Sequence, residues 1–580
     1  MLIARLQKVL TTPNTKPTSS TFIFWLSLSL TFAIIYGLFV LRQAATSEYT
    51  VEDDARVYVF WMQRFVEPDL LPNDLTANYF QSVTPWGYAV LFKIMAALGI
   101  QPLLLSKLLP LILWVITTVY AFAVSQQLLP VPFAGFITTL LLNQTLLIKD
   151  DLPSGTPRAF LYPIALAFLY YLLRGSLLPV LGAIALMGLF YPQVVFILVG
   201  ILVIRVFHWD GRPRLSQNKK DYLFCVAGIG IALLIMLPYA LQTSEFGPTV
   251  TAAEMKTWVE FSADGRIPFF GQDAWKFWNR GQHTGIRLSI NPPLVAAGFL
   301  LLLLLQYPSR FPLAKQVTKN NIILLQILLV SFSLFFAAHA LLLKLYLPSR
   351  YTLHSLVMVM AFSSGLALTL LLDALLQWAS QPVVQRYQRQ FLAFGATFFL
   401  GATLLLYPNI FWHKYLLGSG YYVVGQAPTL YQFLQQQPKN SLIASTDEEA
   451  SNLPVFAQRA VLVGREYANP YHIGYYRQIR QRAKDLIQAQ YSPDLAVVKA
   501  FIQTYGINFW LLHRAAFQPG HLQNRWLQQY QPEVANARTL LEAGKVPALA
   551  SLMQPCAVAE TETFVLLQTE CIQKAQPNAR

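Results

Sequence analysis

Apolar residues run through this chain in long unbroken stretches, not with the period of a half-buried helix or strand. The first is 22–41, and others follow at 103–124, 131–148, 159–173, 177–190, 192–206, 222–241, 292–306, 321–343, 352–377 and 391–411. A hydrocarbon layer of about 30 Å takes about 20 apolar residues as a helix, and lipid offers backbone polar groups no partner, so each stretch is predicted to be a transmembrane helix. Several are short, and neighbours must bury their ends. The count is about eleven spans. The segment 86–100, WGYAVLFKIMAALGI, carries Lys93 in its middle; it is read as lying on the membrane surface. Parity motivates that reading. With 86–100 outside the membrane core, the basic loops 208–220, 306–320 and 381–390 all fall in the cytoplasm, as the bias of Lys and Arg requires.

After Tyr415 the pattern changes to short alternating units. Helices are expected at PTLYQFLQQQ, near 473–490 and near 494–504, and strands at SLIAS, AVLV, INFWLLH and FVLLQ. The fold class is therefore an all-α polytopic membrane domain with a small C-terminal α/β domain. The division is 1–20 as a cytoplasmic segment, 21–411 as the membrane domain with 42–102 as its first outer loop, and 412–580 as an extracytoplasmic domain.

Composition sharpens this picture. Of 580 residues 55% are hydrophobic and 12% charged, with a mean hydropathy of +0.43, so the bilayer is the main solvent. The net charge of +15 comes from Lys and Arg scattered over short loops, which argues for topology and against nucleic acid. Arg5, Lys8 and Lys16 precede the first span and place the N-terminus in the cytoplasm of a plasma or inner membrane. That span is longer than a cleaved signal and reads as an anchor. Cys225 lies in an apolar stretch. Cys556 and Cys571 flank FVLLQ and are candidates for a disulfide outside the cytoplasm. Walker, GxGxxG, CxxC and HExxH motifs are absent.

The candidate chemistry gathers on the outer face. SEYTVEDDARVYVFWMQRF sets Glu52, Asp53 and Asp54 just past the first span. In one reading Thr50 caps a helix with Asp53 three residues on; in the other a carboxylate is a general base or metal ligand. Asp150 and Asp151 open the loop KDDLPSGTPR on the same face, and Arg158 closes it, either snorkelling or holding an anion. In LPSRYT, Arg350 and Tyr351 stand at a turn between two spans, where a planar guanidinium suits a phosphate; Ser349 could cap the following helix and Lys344 snorkel.

An outer loop opening with EDDARVY, a juxtamembrane segment, the acidic DDLPSGTPR loop and the late PSRYT turn together resemble the GT-C superfamily of integral-membrane glycosyltransferases, such as oligosaccharyltransferase, protein O-mannosyltransferase and aminoarabinose transferase. The resemblance covers roughly 20–411. It implies transfer of a sugar from a polyprenyl-phosphate carrier, embedded in the lipid bilayer, to a cell-envelope glycan, lipid or protein, usually with inversion. Asp54 or Asp53 would then be the base, with Asp54 favoured because it shares a helical face with Tyr58 and Trp61. Asp150 and Asp151 would support the site or hold a divalent ion, Mg or Mn, as in metal-using members. Arg350, Tyr351 and Arg158 would hold the carrier phosphate. The chain departs from familiar members in having TPWGY where HPP would follow the first loop. Two other readings stand beside the enzyme: a non-catalytic scaffold of this fold, and a transporter or flippase, against which the scarcity of ionisable residues within the spans argues.

Overall fold

The computed structural model describes all residues except 1, 15, 150, 210–211, 242–243, 343, 383–385, 412–420 and 577–580. Six helices are long and apolar enough to cross a bilayer: Ser20–Ala44, Pro102–Leu128, Lys219–Leu241, Lys319–Ala340, Ser349–Ser380 and Tyr387–Tyr407. The chain is an integral membrane protein. Five further expected spans form shorter apolar helices, among them Pro132–Ile148 and Leu177–Phe190. Trp86–Ala97, with 12 residues, belongs to the same group of shorter apolar helices.

Ser349–Ser380 is the central column. Its apolar window is 94% buried, against 11% for Lys219–Leu241 and Tyr387–Tyr407, which leaves the latter two at the lipid-facing rim. Small residues allow this crowding. A Cβ added at Gly365 would collide with Thr138 of the neighbouring helix, and one at Gly298 would press on Ser364. Some polar groups in the bundle bridge helices: Asn143 Nδ2 donates to Thr118 Oγ1 at 2.9 Å, and Gln144 Nε2 to the Leu404 carbonyl at 2.6 Å.

The C-terminal region holds a five-stranded sheet in the order Ala460–Val461, Leu442–Ala444, Phe509–His513, Phe564–Gln568, Ala557–Glu560; the first three strands are parallel and the last two antiparallel to their neighbours. The helices Pro428–Gln435, Ile473–Tyr491 and Leu495–Tyr505 match the expected positions. The strand Ala557–Glu560 was not expected, since AVAE is short and lies at the edge of the sheet. Cys556 and Cys571 are joined as a disulfide with Cα atoms 5.5 Å apart.

The first outer loop packs with this sheet region. Val51, Phe60, Trp61, Tyr79 and Phe80 belong to the same buried cluster as Tyr431, Phe456, Tyr475 and Trp510. Tyr79 and Tyr475 stack with centroids 3.7 Å apart and planes within 5°. A two-stranded antiparallel ribbon, Thr50–Glu52 with Tyr422–Val424, ties the loop down immediately before the acids.

Candidate functional site

The ribbon decides where the three acids point. Thr50 lies in a strand and caps nothing; Glu52 Oε2 instead accepts from the Ala55 amide at 2.8 Å, closing the turn that leads into the helix Arg56–Met62. Asp53 turns to Arg56, a buried side chain that also donates to Asn452 Oδ1 at 2.8 Å and lies 3.7 Å from Glu466. Burial and the Glu466 carboxylate push the Asp53 carboxyl above its ordinary range. Asp54 turns the other way, into a cavity, where its Oδ2 meets Arg158 at 2.8 Å. Of the two first-loop candidates, Asp54 lines the cavity and Asp53 is outside its wall.

Arg158 stands on the short turn Pro157–Phe160, with its Nε 3.8 Å from Asp151. Asp151 is buried and accepts from Tyr162 at 3.0 Å, with His354 Nδ1 at 3.2 Å. Burial opposes its ionisation, yet His354, Arg158 and Lys149 hold its pKa well below the usual carboxylate range. Asp150 lies outside the described residues.

Arg350 is the second residue of the central column. Ser349 does not cap this helix: its hydroxyl donates to the Gln282 carbonyl at 2.9 Å. Tyr351 donates to the Leu345 carbonyl at 2.5 Å. The Arg350 guanidinium lines the cavity with a buried Nε that has no hydrogen-bond partner, and among the described residues it makes no ion pair. A partly buried guanidinium without a counter-charge is costly, so an anion arriving there gains more than it would at the surface.

The cavity measures about 820 Å³. Four cations, Arg158, Arg266, Lys344 and Arg350, face two carboxylates, Asp54 and Glu466, so its polar end favours an anion. Lys344 is thus a wall residue. The other end is apolar, built by Phe196, Leu233, Met236 and Leu237, the last three on one face of the rim helix Lys219–Leu241. Arg266 and Glu466, 2.6 Å apart, come from the loop 243–290 and the C-terminal region. Neither was expected from sequence. His354 could have been, since it lies one helical turn after Arg350.

A divalent ion between the first-loop and second-loop acids was expected to involve Asp150, which lies outside the described residues. Arg158 already bridges Asp54 and Asp151 there, and no three His, Cys, Asp or Glu side chains converge among the described residues.

No protein-family model and no curated protein matches the chain. Solved structures do. The archaeal oligosaccharyltransferase AglB from Archaeoglobus fulgidus in complex with an inhibitory peptide and a dolichol-phosphate is 13% identical, over 97% of this chain and 76% of that one, with a TM-score of 0.54. The Archaeoglobus fulgidus oligosaccharyltransferase in its apo form is 12% identical over 88% and 72%, at 0.54. The same enzyme in complex with Zn and sulfate is 12% identical over 87% and 70%, at 0.53. At such identity the likeness is one of fold: the chain shares the GT-C fold of archaeal oligosaccharyltransferase AglB.

Proposed function

We propose that this protein is a membrane glycosyltransferase that moves a sugar from a polyprenyl-phosphate carrier to a cell-envelope acceptor on the outer face. The observation carrying the reading is the meeting of Asp54, Arg158 and the unpaired Arg350 in one chamber that continues into an apolar limb along a lipid-facing helix. In this reading the chain has about eleven spans, its N-terminus lies in the cytoplasm, and the sheet domain lies outside. The likeness to a structure determined with a dolichol-phosphate and an inhibitory peptide supports a lipid-linked donor.

The carrier phosphate sits against Arg350 and Lys344, and the polyprenyl chain follows Leu233, Met236 and Leu237. Arg158 is shared: an incoming phosphate competes with Asp54 for its guanidinium, which leaves the Asp54 carboxylate free to face the acceptor hydroxyl. The acceptor oxygen then forms a bond to the anomeric carbon, the bond from that carbon to the phosphate oxygen breaks, and the hydroxyl proton passes to Asp54. Negative charge growing on the departing phosphate is stabilised by Arg350 in a site of low dielectric. Asp151, fixed by Tyr162 and His354, orients Arg158.

Purified protein in lipid nanodiscs, supplied with labelled polyprenyl-phosphate sugars, tests the reading. Asp54→Asn is expected to lower transfer by about 10²–10⁴-fold with carrier binding retained. Arg350→Lys is expected to weaken carrier binding by about tenfold, because a point charge loses the planar fork. Undiminished turnover in Asp54→Asn, or carrier binding indifferent to Arg350, sinks the proposal.

A further inference from the structure

A second cavity of about 630 Å³ lies beside the first. The turn between the helices Leu75–Val83 and Trp86–Ala97 is the partition: Val83 and Pro85 face the large chamber, while Ser82, Thr84 and Trp86 face the smaller one, and Tyr239 borders both. The first-loop helix connects them along one face. Asp54, in the turn before it, and Tyr58 line the large chamber and Trp61 the small one, a rise of about 4.5 Å from Tyr58 to Trp61.

The walls of this second chamber set oriented polar groups among apolar side chains, Phe65, Ala89 and Val90 with the indoles of Trp61 and Trp86. Arg64 donates to Asn78 Oδ1 and to Gln81 Oε1, both at 2.9 Å. Because a guanidinium only donates, both amide oxygens must face it, and both NH₂ groups are left as donors. Trp61 is 1% exposed, yet its indole Nε1 has no hydrogen-bond partner. Trp86, 63% exposed, offers a flat aromatic face. Lys93 is the sole basic residue in the lining, too little positive charge for a polyanion. Fixed N–H donors beside an exposed indole face match a hydroxyl-rich ring, whose oxygens accept hydrogen bonds and whose C–H faces stack.

We propose that this chamber is the acceptor subsite and that it holds an oligosaccharide, whose reacting hydroxyl extends past the Thr84–Pro85 turn to Asp54. The inference rests on the transferase reading.

Full-length protein in nanodiscs is presented to a printed panel of neutral oligosaccharides, anionic oligosaccharides and peptides. Neutral oligosaccharides are expected to bind. Trp86→Ala and Gln81→Ala are each expected to weaken that binding by about tenfold. Both altered side chains are exposed, and retained binding of polyprenyl phosphate shows that these variants are folded. Titration of a retained oligosaccharide, free and then on a lipid tether in the disc, distinguishes a soluble glycan from a glycolipid head group: binding of both forms identifies the former, and binding of the tethered form alone the latter. An empty panel, retention of peptides only, or glycan binding unchanged in Trp86→Ala overturns the subsite. Glycan binding with carrier binding indifferent to Arg350 instead removes the transferase reading and leaves a glycan-binding chamber.

Discussion

Arg158 lies between Asp54 and Asp151, and the contrast between those two carboxylates shows how position sets chemistry. Asp151 is buried, held by Tyr162 and His354, and kept charged; Asp54 is half-exposed and has Arg158 as its ion-pair partner. In the proposed mechanism Asp54 takes a proton and needs a partner that can leave, and the carrier phosphate would give Arg158 that alternative. In the loop 243–290, His283 is buried with an unpartnered Nδ1, and burial together with Arg350, Arg287 and Arg266 pushes its pKa down to about 3. An unfolded histidine titrates near 6.5. Between those values the unfolded chain binds a proton that the folded chain refuses, so stability is full above about pH 6.5 and falls on acidification by about 1.4 kcal/mol per unit. Melting of the solubilised protein at pH 7 and pH 5 is expected to show a loss that His283→Gln reduces; an equal loss in the variant would contradict this assignment. The pairing of Asp54 with Arg158 was not readable from their spacing, because local sequence does not set which of two adjacent acids a turn directs inward.

The short ribbon Thr50–Glu52 with Tyr422–Val424 sets that direction. Asp53 N donates to the Tyr421 carbonyl and Gly425 N to Tyr49, so by antiparallel alternation Val51 and Val423 form a hydrogen-bonded pair. Val423→Pro removes the amide from that pair. It is expected to reduce the rate of transfer while carrier binding persists, whereas Val423→Thr, which keeps the amide and the preference for strand, restores the rate. Equal rates in all three proteins would separate the ribbon from catalysis. The strands INFWLLH and FVLLQ are readable from β-branched and aromatic runs, as are the amphipathic helices around them. The ribbon is not, since its two halves lie far apart in sequence and each is only three residues long.

The membrane bundle and the sheet region meet over the cavity, and most of its charged wall comes from segments that are distant in sequence. The orientation proposed above is testable in a chain whose Cys225 is replaced by Ala. Asp264→Cys is expected to react with an impermeant maleimide on intact cells, and Gln388→Cys only after permeabilisation; the reverse pattern would invert the protein and overturn the outer-face chemistry proposed above. The sequence by itself determined the membrane character and the helical nature of the long apolar stretches, because lipid leaves backbone polar groups no other solution. It also determined the α/β character of the tail and the short set of acids and arginines worth attention. Only the tertiary structure decided that the first outer loop shares a buried core with the tail, that Arg56, Arg266 and Glu466 brace the site, and that Asp54, not Asp53, enters the chamber. Those outcomes follow from packing between distant segments, where burial and pairing of charges depend on neighbours that no local pattern specifies.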